Sequence, residues 1–374
     1  MADQQQLVPV FDGHNDTVME LLRGERTFYD RSETGHLDRV KAAEGGMVGG
    51  FFAIFVPDAE TARVGKPELD LHAMVGQGVE GVQLSGPDGP SQAFSLQYTV
   101  AAISTLLRVE SGFGLPDGTE LDEDGVIETL LSFVTTAEEL EENIESGQFS
   151  AILHFEGAEM IDEHFYALET FWQTGLRSLG PVWSRSNIFG HGVPFEFFTS
   201  PDTGPGLTDI GKELITACND LGIMVDLSHM NEKGFWDIAG ITDAPLVASH
   251  SNAWSICQAT RNLTDKQLDA IAETNGVVGL NYNCAFVRPD CKPEKDTPLS
   301  MFADHVDYLV DKLSIDGVAL GSDFDGALMP NDLADASMLP NLINELRGRG
   351  YDDASLRKIG YQNWVRVLRD TWGL

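Results

Sequence analysis

Short apolar runs alternate along the chain with longer stretches in which apolar residues recur at helical spacing. This alternation predicts parallel strands that are joined by helices, as in an α/β fold. Eight runs have the length and composition of strands, and they cover residues 7–11, 50–56, 150–155, 177–183, 223–227, 245–249, 277–282 and 318–321. Eight parallel strands predict a closed (β/α)8 barrel, the TIM-barrel architecture. An open doubly wound sheet is the alternative, but it needs a glycine-rich phosphate loop after the first strand, and the sequence DGHND is not such a loop.

Helix start signals support the alternation. Capping boxes of the T-x-x-E or T-x-x-Q type begin at Thr136 and Thr264. Thr208 begins a further helix, and Gly222 ends it.

Two regions fall outside the regular alternation. Residues 69–125 are rich in Gly, Pro and Asp, and we expect a long crossover there between the second and third strands, with a helix over residues 91–108. From Met338 onward we expect two C-terminal closing helices, the second over residues 353–370. We expect the whole chain, residues 1–374, to form a single barrel domain.

The charge of the chain is strongly unbalanced. The 59 Asp and Glu residues outnumber the 24 Lys and Arg residues, which gives a formal net charge of -35. Such a surface repels nucleic acid and anionic lipid, so neither nucleic acid nor a membrane is expected as a partner. The same charge favours solubility, including at high salt concentration.

The expected location is the cytoplasm. The beginning of the sequence lacks the basic and apolar regions of a signal peptide, and no run approaches the roughly 18 apolar residues of a membrane span. The four cysteines show no C-x-x-C spacing, and we expect free thiols at Cys218, Cys257, Cys284 and Cys291.

Residues with metal-ligand chemistry lie at the carboxyl ends of the predicted strands. His14 and Asp16 follow the first strand, and side chains two residues apart on an extended segment point the same way. The candidates that end the third, fifth, sixth and eighth strands are Glu156, His229, His250 and Asp323. Active sites of α/β barrels lie at this end of the strands. Two imidazoles, one H-x-D pair and a shared glutamate supply enough ligands for two zinc ions with open positions for water.

Each of these residues also has a structural interpretation. An H-x-D pattern occurs by chance, a buried histidine is commonly a hydrogen-bonded core residue, and Glu156 could stabilise a helix N-terminus. The combination is more specific, because six such residues fall at the same end of five strands. Many two-metal barrel hydrolases use a carbamylated lysine as the bridging ligand. This chain has no lysine between Lys66 and Lys212, so a carboxylate is the expected bridge, and Glu156 is at the right place.

Seven motifs occur in the order seen in one known family. They are FDGHNDTV, GGFFAIFVP, ILHFEGAEMI, GLRSLGPVWS, GIMVDLSHM, LVASHSNAWSICQATRN and GVALGSDFDG, and the similarity extends from Val8 to about Val365. In these motifs the chain resembles the membrane dipeptidase (renal dipeptidase) family of the amidohydrolase superfamily.

The resemblance implies a (β/α)8 barrel with two Zn2+ ions. His14 and Asp16 would bind one ion. His229 and His250 would bind the other, and Glu156 would bridge the two.

The resemblance also implies an activity. Asp323 would be the general acid/base beside the bridging water, and Arg261 would hold the C-terminal carboxylate of the substrate. The family hydrolyses dipeptides by attack of a metal-bound hydroxide, and it tolerates a D-residue or a dehydro residue at the C-terminal position. The implied partner is therefore a small peptide substrate, and a homodimer is the candidate assembly.

The chain departs from the family at the fourth strand. Animal members have a histidine there that helps to polarise the substrate carbonyl, whereas this chain has Trp183. Trp183 is a candidate aromatic wall of the substrate pocket or a packing residue, and His191 on the following loop is a candidate replacement donor. His154 either supports the site or packs in the core, and Asp325 is interpreted as a turn residue.

Three functions remain open on this basis. The first is a metallodipeptidase, and the second is a barrel hydrolase of an N-acyl amino acid, a lactone or another ester. The third is a non-catalytic relative that only binds a ligand. The presence of Asp323 and of every expected ligand disfavours the third, and Arg261 favours a substrate with a free carboxylate over a neutral ester.

Overall fold

The computed structural model describes residues 7–24, 26–58, 89–116 and 130–373. The strands in these ranges are β1 (Val10–Asn15), β2 (Met47–Phe55), β3 (Leu131–Phe133), β4 (Phe149–Glu156), β5 (Leu176–Gly180), β6 (Met224–Val225), β7 (Val247–Ala248), β8 (Val277–Leu280) and β9 (Val318–Leu320). Each of the eight predicted strands overlaps one of them. The short β3 was not predicted, and it pairs with the start of β4, outside the path of the barrel.

Parallel pairing closes the eight predicted strands into a barrel. One sheet runs in the order β1-β2-β4-β5-β6, and a second runs in the order β7-β8-β9. On one side the sheets join through the bridge between Asp226 and Val247, where Leu227 N donates to Val247 O at 2.8 Å. On the other side they join through the bridge between Asn15 and Phe324. The predicted TIM barrel is therefore confirmed.

The predicted position of the first strand was wrong. The strand spans Val10–Asn15 instead of residues 7–11, so His14 lies within the strand and does not follow it. The polar side chains of this segment are buried because other strands satisfy them: Ser322 N donates to Asp12 Oδ1 at 2.6 Å. A hydropathy pattern cannot show such long-range compensation, and it therefore ended the strand where the apolar run ended.

Most helices lie between the strands, and the last three follow β9. The helices are α1 (Thr17–Arg23), α2 (Arg39–Gly45), α3 (Gln92–Glu110), α4 (Ala137–Ser146), α5 (Tyr166–Gln173), α6 (Asp209–Leu221), α7 (Glu232–Ala239), α8 (Asp265–Glu273), α9 (Cys284–Val287), α10 (Leu299–Leu313), α11 (Leu339–Gly348), α12 (Asp353–Arg357) and α13 (Asn363–Trp372). Thr136 and Thr264 form the predicted capping boxes, Thr208 caps α6, and α6 ends at Gly222. Within the described part of the chain, we find no helix that is long and apolar enough to cross a lipid bilayer. Apart from α3 and its flanks, the crossover predicted over residues 69–125 lies outside the described residues.

The last helix, α13, fills the base of the barrel. The second predicted helix is α12 and α13 joined through a π-helical turn, Lys358–Gln362. Trp364 of α13 is fully buried, and its indole Nε1 donates to Leu320 O at 3.0 Å. A Cβ at Gly13 would lie 2.4 Å from the Trp364 ring, so β1 needs glycine at this close approach. The apolar strand residues in the same cluster are Phe11, Phe51, Ile152, Met224, Val247, Val277 and Ala319.

Candidate metal centre

The six predicted acid and metal-binding residues meet at the carboxyl end of the barrel. His14 lies in β1, and Glu156 is the last residue of β4. The residues that follow β1, β6, β7 and β9 are Asp16, His229, His250 and Asp323. Two groups of ligand atoms share Glu156, the first with His14 and Asp16 and the second with the two other histidines. Within each group the atoms lie within 4.8 Å of one another.

Glu156 is at the centre of the cluster. Its Oε1 lies 2.8 Å from His229 Nε2 and 3.5 Å from His14 Nε2. The Nε2 atoms of His229 and His250 are 3.0 Å apart. His14 Nε2 lies 3.6 Å from Asp16 Oδ2, and its ring stacks on that of His250 with the centroids 3.8 Å apart. Imidazole nitrogens and carboxylate oxygens therefore converge on one small volume.

Within the described ranges, no lysine or arginine forms an ion pair with Glu156 or Asp16. Burial, reinforced by the charges of Asp16 and Asp323, raises the pKa of Glu156 well above its ordinary value. Burial also raises the pKa of Asp16 to about 7, with repulsion from Asp325 as the second cause. Without a cation these groups would have to take up protons, and a divalent cation would instead stabilise their charged forms.

The histidines have the protonation state that metal binding requires. Burial and nearby positive charge lower the pKa of His229 and of His250 well below the usual value, so both imidazoles are neutral. His14 is fully buried, and neither of its ring nitrogens has a hydrogen-bond partner among the described residues. Buried polar atoms without partners are costly, and a bound metal ion would satisfy them.

Two of the clustered residues are held in left-handed backbone conformations. The angle φ is 69° at His229 and 62° at Asp323. Such angles cost on the order of 1–3 kcal/mol for residues other than glycine, and they persist where surrounding contacts impose them. Asp323 N donates to His14 O at 2.9 Å, and Val193 N donates to His229 O at 2.8 Å. These bonds fix both backbones at the points where the side chains enter the cluster.

Asp323 combines a raised pKa with a carboxyl group that is held in place. Burial raises its pKa to about 6, and Asn281 Nδ2 donates to its Oδ2 at 2.9 Å, which holds the carboxyl group in place. A carboxyl group with a pKa near neutrality can both accept and return a proton. Asp323 also forms a third group of ligand-type atoms with His14 and His250, so it lies within reach of the same centre.

Arg261 places a buried positive charge next to the cluster. Its side chain is 4% exposed, and its Nη2 donates to His250 O at 3.1 Å. The guanidinium lies 5.8 Å from the ring centroid of Phe286. Its Nε has no hydrogen-bond partner among the residues that the structure describes. Part of the guanidinium fork is therefore available to a ligand.

Trp183 borders the cluster, and His191 lies apart from it. The Trp183 ring centroid is 5.9 Å from that of His229 and 4.6 Å from that of Phe55. His191 Nδ1 is hydrogen-bonded with Ser186 Oγ at 2.8 Å. Across the described ranges, no hydrogen bond or ring contact joins His191 to the clustered residues.

Three supporting residues were missed in the sequence analysis. Ser184 Oγ lies 2.8 Å from His229 Nδ1, and Ser249 Oγ lies 2.7 Å from His250 Nδ1. Asp226 accepts a hydrogen bond from Ser249 Oγ. The usable signal was Asp226 itself, because an acid inside an otherwise apolar strand must have a buried partner.

His154 lies inside the barrel, directly beneath the cluster. It is fully buried, and its Nδ1 is hydrogen-bonded with Ser178 Oγ at 2.8 Å. Its Nε2 lies 3.6 Å from Asp226 Oδ2, and its ring is edge-on to that of His14 with the centroids 5.4 Å apart. His154 is therefore both a packed core residue and a direct neighbour of the candidate ligand His14.

Asp325 does more than form a turn. Its φ of 66° agrees with the turn interpretation. Its Oδ2 also accepts from Arg26 Nη2 at 2.5 Å and from Thr17 Oγ1 at 2.8 Å, and its Oδ1 accepts from His36 N. The carboxylate thus ties the segment after β1, which carries Asp16, to the turn after β9.

Comparisons with known proteins agree with this architecture. A family model described as membrane dipeptidase (peptidase family M19) matches residues 126–372. An uncharacterized Klebsiella pneumoniae protein from the pqqA 5′ region is 47% identical over 242 residues, which cover 65% of this chain and 89% of that protein.

Two solved structures are similar over almost the entire length. A metallo peptidase from Rhodobacter sphaeroides, liganded with a phosphinate mimic of the dipeptide L-Ala-D-Ala, is 42% identical with a TM-score of 0.88 and covers 98% of this chain and 100% of its own. The metallo peptidase called dipeptidase AC, of family M19, has the same identity and TM-score and covers 99% of this chain and 100% of its own. The chain therefore belongs to the membrane dipeptidase family, peptidase family M19, and is a metallodipeptidase, a hydrolase of peptide bonds.

Proposed function

We propose that the enzyme hydrolyses dipeptides with two bound Zn2+ ions that share Glu156. His14 and Asp16 would hold one ion, and His229 and His250 would hold the other. The observation that carries this proposal is the pair of ligand groups with Glu156 in common. A tetrahedral zinc site with bonds of roughly 2.0–2.1 Å has ligand atoms about 3.3 Å apart, and the 3.0 Å between the two Nε2 atoms of the second group is compatible with it.

The chain itself would supply the proton carrier for this reaction. When bound, the zinc ions would polarise the substrate carbonyl and provide an activated water as the nucleophile. Asp323, held by Asn281 and with its pKa raised to about 6, would accept the proton and return it to the leaving amine.

Arg261 would hold the C-terminal carboxylate of the substrate. A guanidinium group binds a carboxylate through two parallel hydrogen bonds, and the Nε of this buried arginine, which has no partner among the described residues, supports such a contact. The Rhodobacter sphaeroides relative binds a mimic of L-Ala-D-Ala. We extend this substrate class to the present enzyme, including dipeptides with a C-terminal D-residue. A lactone or neutral ester would leave the buried charge of Arg261 without a partner.

The walls of the site would set side-chain preference. Trp183 and Phe55, with their rings 4.6 Å apart, would form an apolar wall beside His229. His191 would act as the replacement donor to the carbonyl only after a movement of its loop, because its Nδ1 is engaged with Ser186.

Zinc-dependent hydrolysis of a small substrate panel tests the proposed function. Protein purified without chelator should contain about two zinc ions per chain. Chelator-treated protein should be inactive and should recover on addition of zinc. The panel would contain L-Ala-L-Ala, L-Ala-D-Ala, N-acetyl-D-Ala and a simple lactone, and we expect hydrolysis of the dipeptides. A zinc content well below one that added zinc does not restore, or faster hydrolysis of the last two compounds, would contradict the proposal.

We further propose that the enzyme works in the cytoplasm, with residues 1–374 as one barrel domain. Its four cysteines are free thiols, which is usual in a reducing compartment. A homodimer is the proposed assembly, and analytical ultracentrifugation would test it.

A further inference from the structure

The two histidines of the second ligand group are each held from behind by a serine. Ser184 Oγ contacts His229 Nδ1 at 2.8 Å, and Ser249 Oγ contacts His250 Nδ1 at 2.7 Å. The two serines are 4% and 0% exposed, so bulk water does not compete for these contacts. The opposite nitrogens, the Nε2 atoms, face each other and Glu156.

The hydroxyl proton of Ser249 has one favoured acceptor. Asp226 Oδ2 lies 2.5 Å from Ser249 Oγ, whereas Ser228 Oγ lies 3.4 Å away. A carboxylate only accepts hydrogen bonds, and bonds to it are stronger than bonds to a hydroxyl. Ser249 therefore donates to Asp226 and accepts from His250, so that His250 Nδ1 carries the ring proton. Its Nε2 keeps a lone pair that is directed into the cluster.

Asp226 is itself fixed in place. Its Oδ1 accepts from the backbone N of Ser228 at 3.0 Å and of Ser249 at 2.8 Å. Its Oδ2 lies 3.6 Å from Nε2 of the buried His154. The hydrogen bonds of Asp226 therefore join the segment after β6 to the segment after β7, and His154 of β4 lies beside them.

We propose that Ser184, Ser249 and Asp226 are positioning residues for the second metal ion. Ser249, fixed by Asp226, holds the ring proton of His250 on Nδ1, and each serine sets the angle of the imidazole that it contacts. This inference rests on the zinc-dependent function proposed above. Substitution of groups that orient metal ligands in this way typically weakens metal binding by about 10- to 100-fold.

Zinc affinity, measured by competition with a chelating dye on metal-depleted protein, tests the inference. Ser249→Ala and Ser184→Ala should each weaken binding of the second zinc ion, the one held by His229 and His250, by about 10- to 100-fold. Binding of the first zinc ion should be unchanged. Ser249→Thr, which keeps the hydroxyl, should bind zinc more tightly than Ser249→Ala. Ser251→Ala is the matched control, because Ser251 is equally buried and its hydroxyl contacts Arg261 and Ser228 but neither histidine ring.

A double-mutant cycle tests whether Asp226 acts on zinc binding through Ser249. Asp226→Asn should weaken zinc binding in the otherwise natural protein and add little in the Ser249→Ala background, because both changes interrupt the same contact. Full additivity of the two effects would show that Asp226 does not act through Ser249, which would overturn that part of the inference.

Stability of the metal-free protein distinguishes positioning from mere packing. A packing role would lower the free energy of unfolding of the metal-free variants and leave their zinc affinity equal to that of the Ser251→Ala control, which would overturn the inference. A natural protein that binds no zinc would overturn the proposed function and this inference together. Normal zinc binding in both the natural protein and the serine-to-alanine variants would overturn this inference alone.

Discussion

Arg261→Leu separates the carboxylate-dependent part of substrate binding from the rest. The guanidinium is buried and its Nε has no hydrogen-bond partner in the part of the chain that the structure describes, so a bound carboxylate would form a desolvated, hydrogen-bonded charge pair. Loss of one partner from such a pair costs about 3 kcal/mol, which is about a 10²-fold rise in KM. The contact is the same in the ground state and the transition state, so kcat should change much less than KM.

The assay compares L-Ala-D-Ala with its C-terminal amide in the natural enzyme and the variant. The amide has no carboxylate, so its KM should change by less than about fivefold. Arg261→Lys is the matched variant. It keeps the charge and loses the two-pronged geometry, and it should give an intermediate KM. Equal losses on the acid and the amide would refute the assigned contact.

The Arg261→Leu substitution should also change the pH dependence of the reaction. The charge of Arg261 lowers the pKa of Asp323, which burial raises to about 6. Removal of the arginine should therefore raise this pKa further and move the acid limb of the kcat/KM profile to higher pH. This shift should be the same for both substrates, because kcat/KM reports the pKa of the free enzyme, in which no substrate carboxylate is present. The zinc content of the variant is measured as a control, since Arg261 also donates to the carbonyl of His250.

Four further substitutions test the remaining assignments. Glu156→Gln should reduce the zinc content from about two ions per chain to well below one, because both ligand groups use this carboxylate, and elemental analysis would show it. Asp323→Asn should keep its zinc and lose about 10²-fold in kcat, whereas loss of zinc would make Asp323 a ligand instead of the proton carrier. Trp183→Ala should slow dipeptides with bulky apolar side chains the most, and a change in thermal stability with an unchanged order of substrates would mark it as a packing residue. His191→Ala should lower kcat about tenfold or more if this residue donates to the carbonyl, and an unchanged kcat would remove it from the site.

The sequence was informative wherever a local pattern determines structure. Capping residues such as Thr208 set helix starts through contacts only three residues away, and these predictions were confirmed. The barrel rule then placed candidate ligands such as Glu156 and His250 at one end of the fold, and the structure brings them together.

The sequence was uninformative where a residue depends on a distant partner. The strand that contains His14 was misplaced because its polar residues are satisfied by a segment about 310 positions away, as in the bond from Ser322 to Asp12. The Arg26–Asp325 ion pair and the serines behind the histidines were missed for the same reason. Register between strands decides these contacts, and register is not visible in a single sequence.

The position of Trp364 has a consequence for biosynthesis. Every strand of the barrel and every candidate metal ligand is translated before this residue, which fills the base of the barrel. A nascent chain that stops before Asn363 would thus carry the complete set of ligands around an unfilled interior. Such a chain would expose apolar surface to aggregation and degradation. Quality control of this enzyme therefore depends on residues that are translated after its last candidate ligand, and firm retention of zinc should follow completion of the polypeptide.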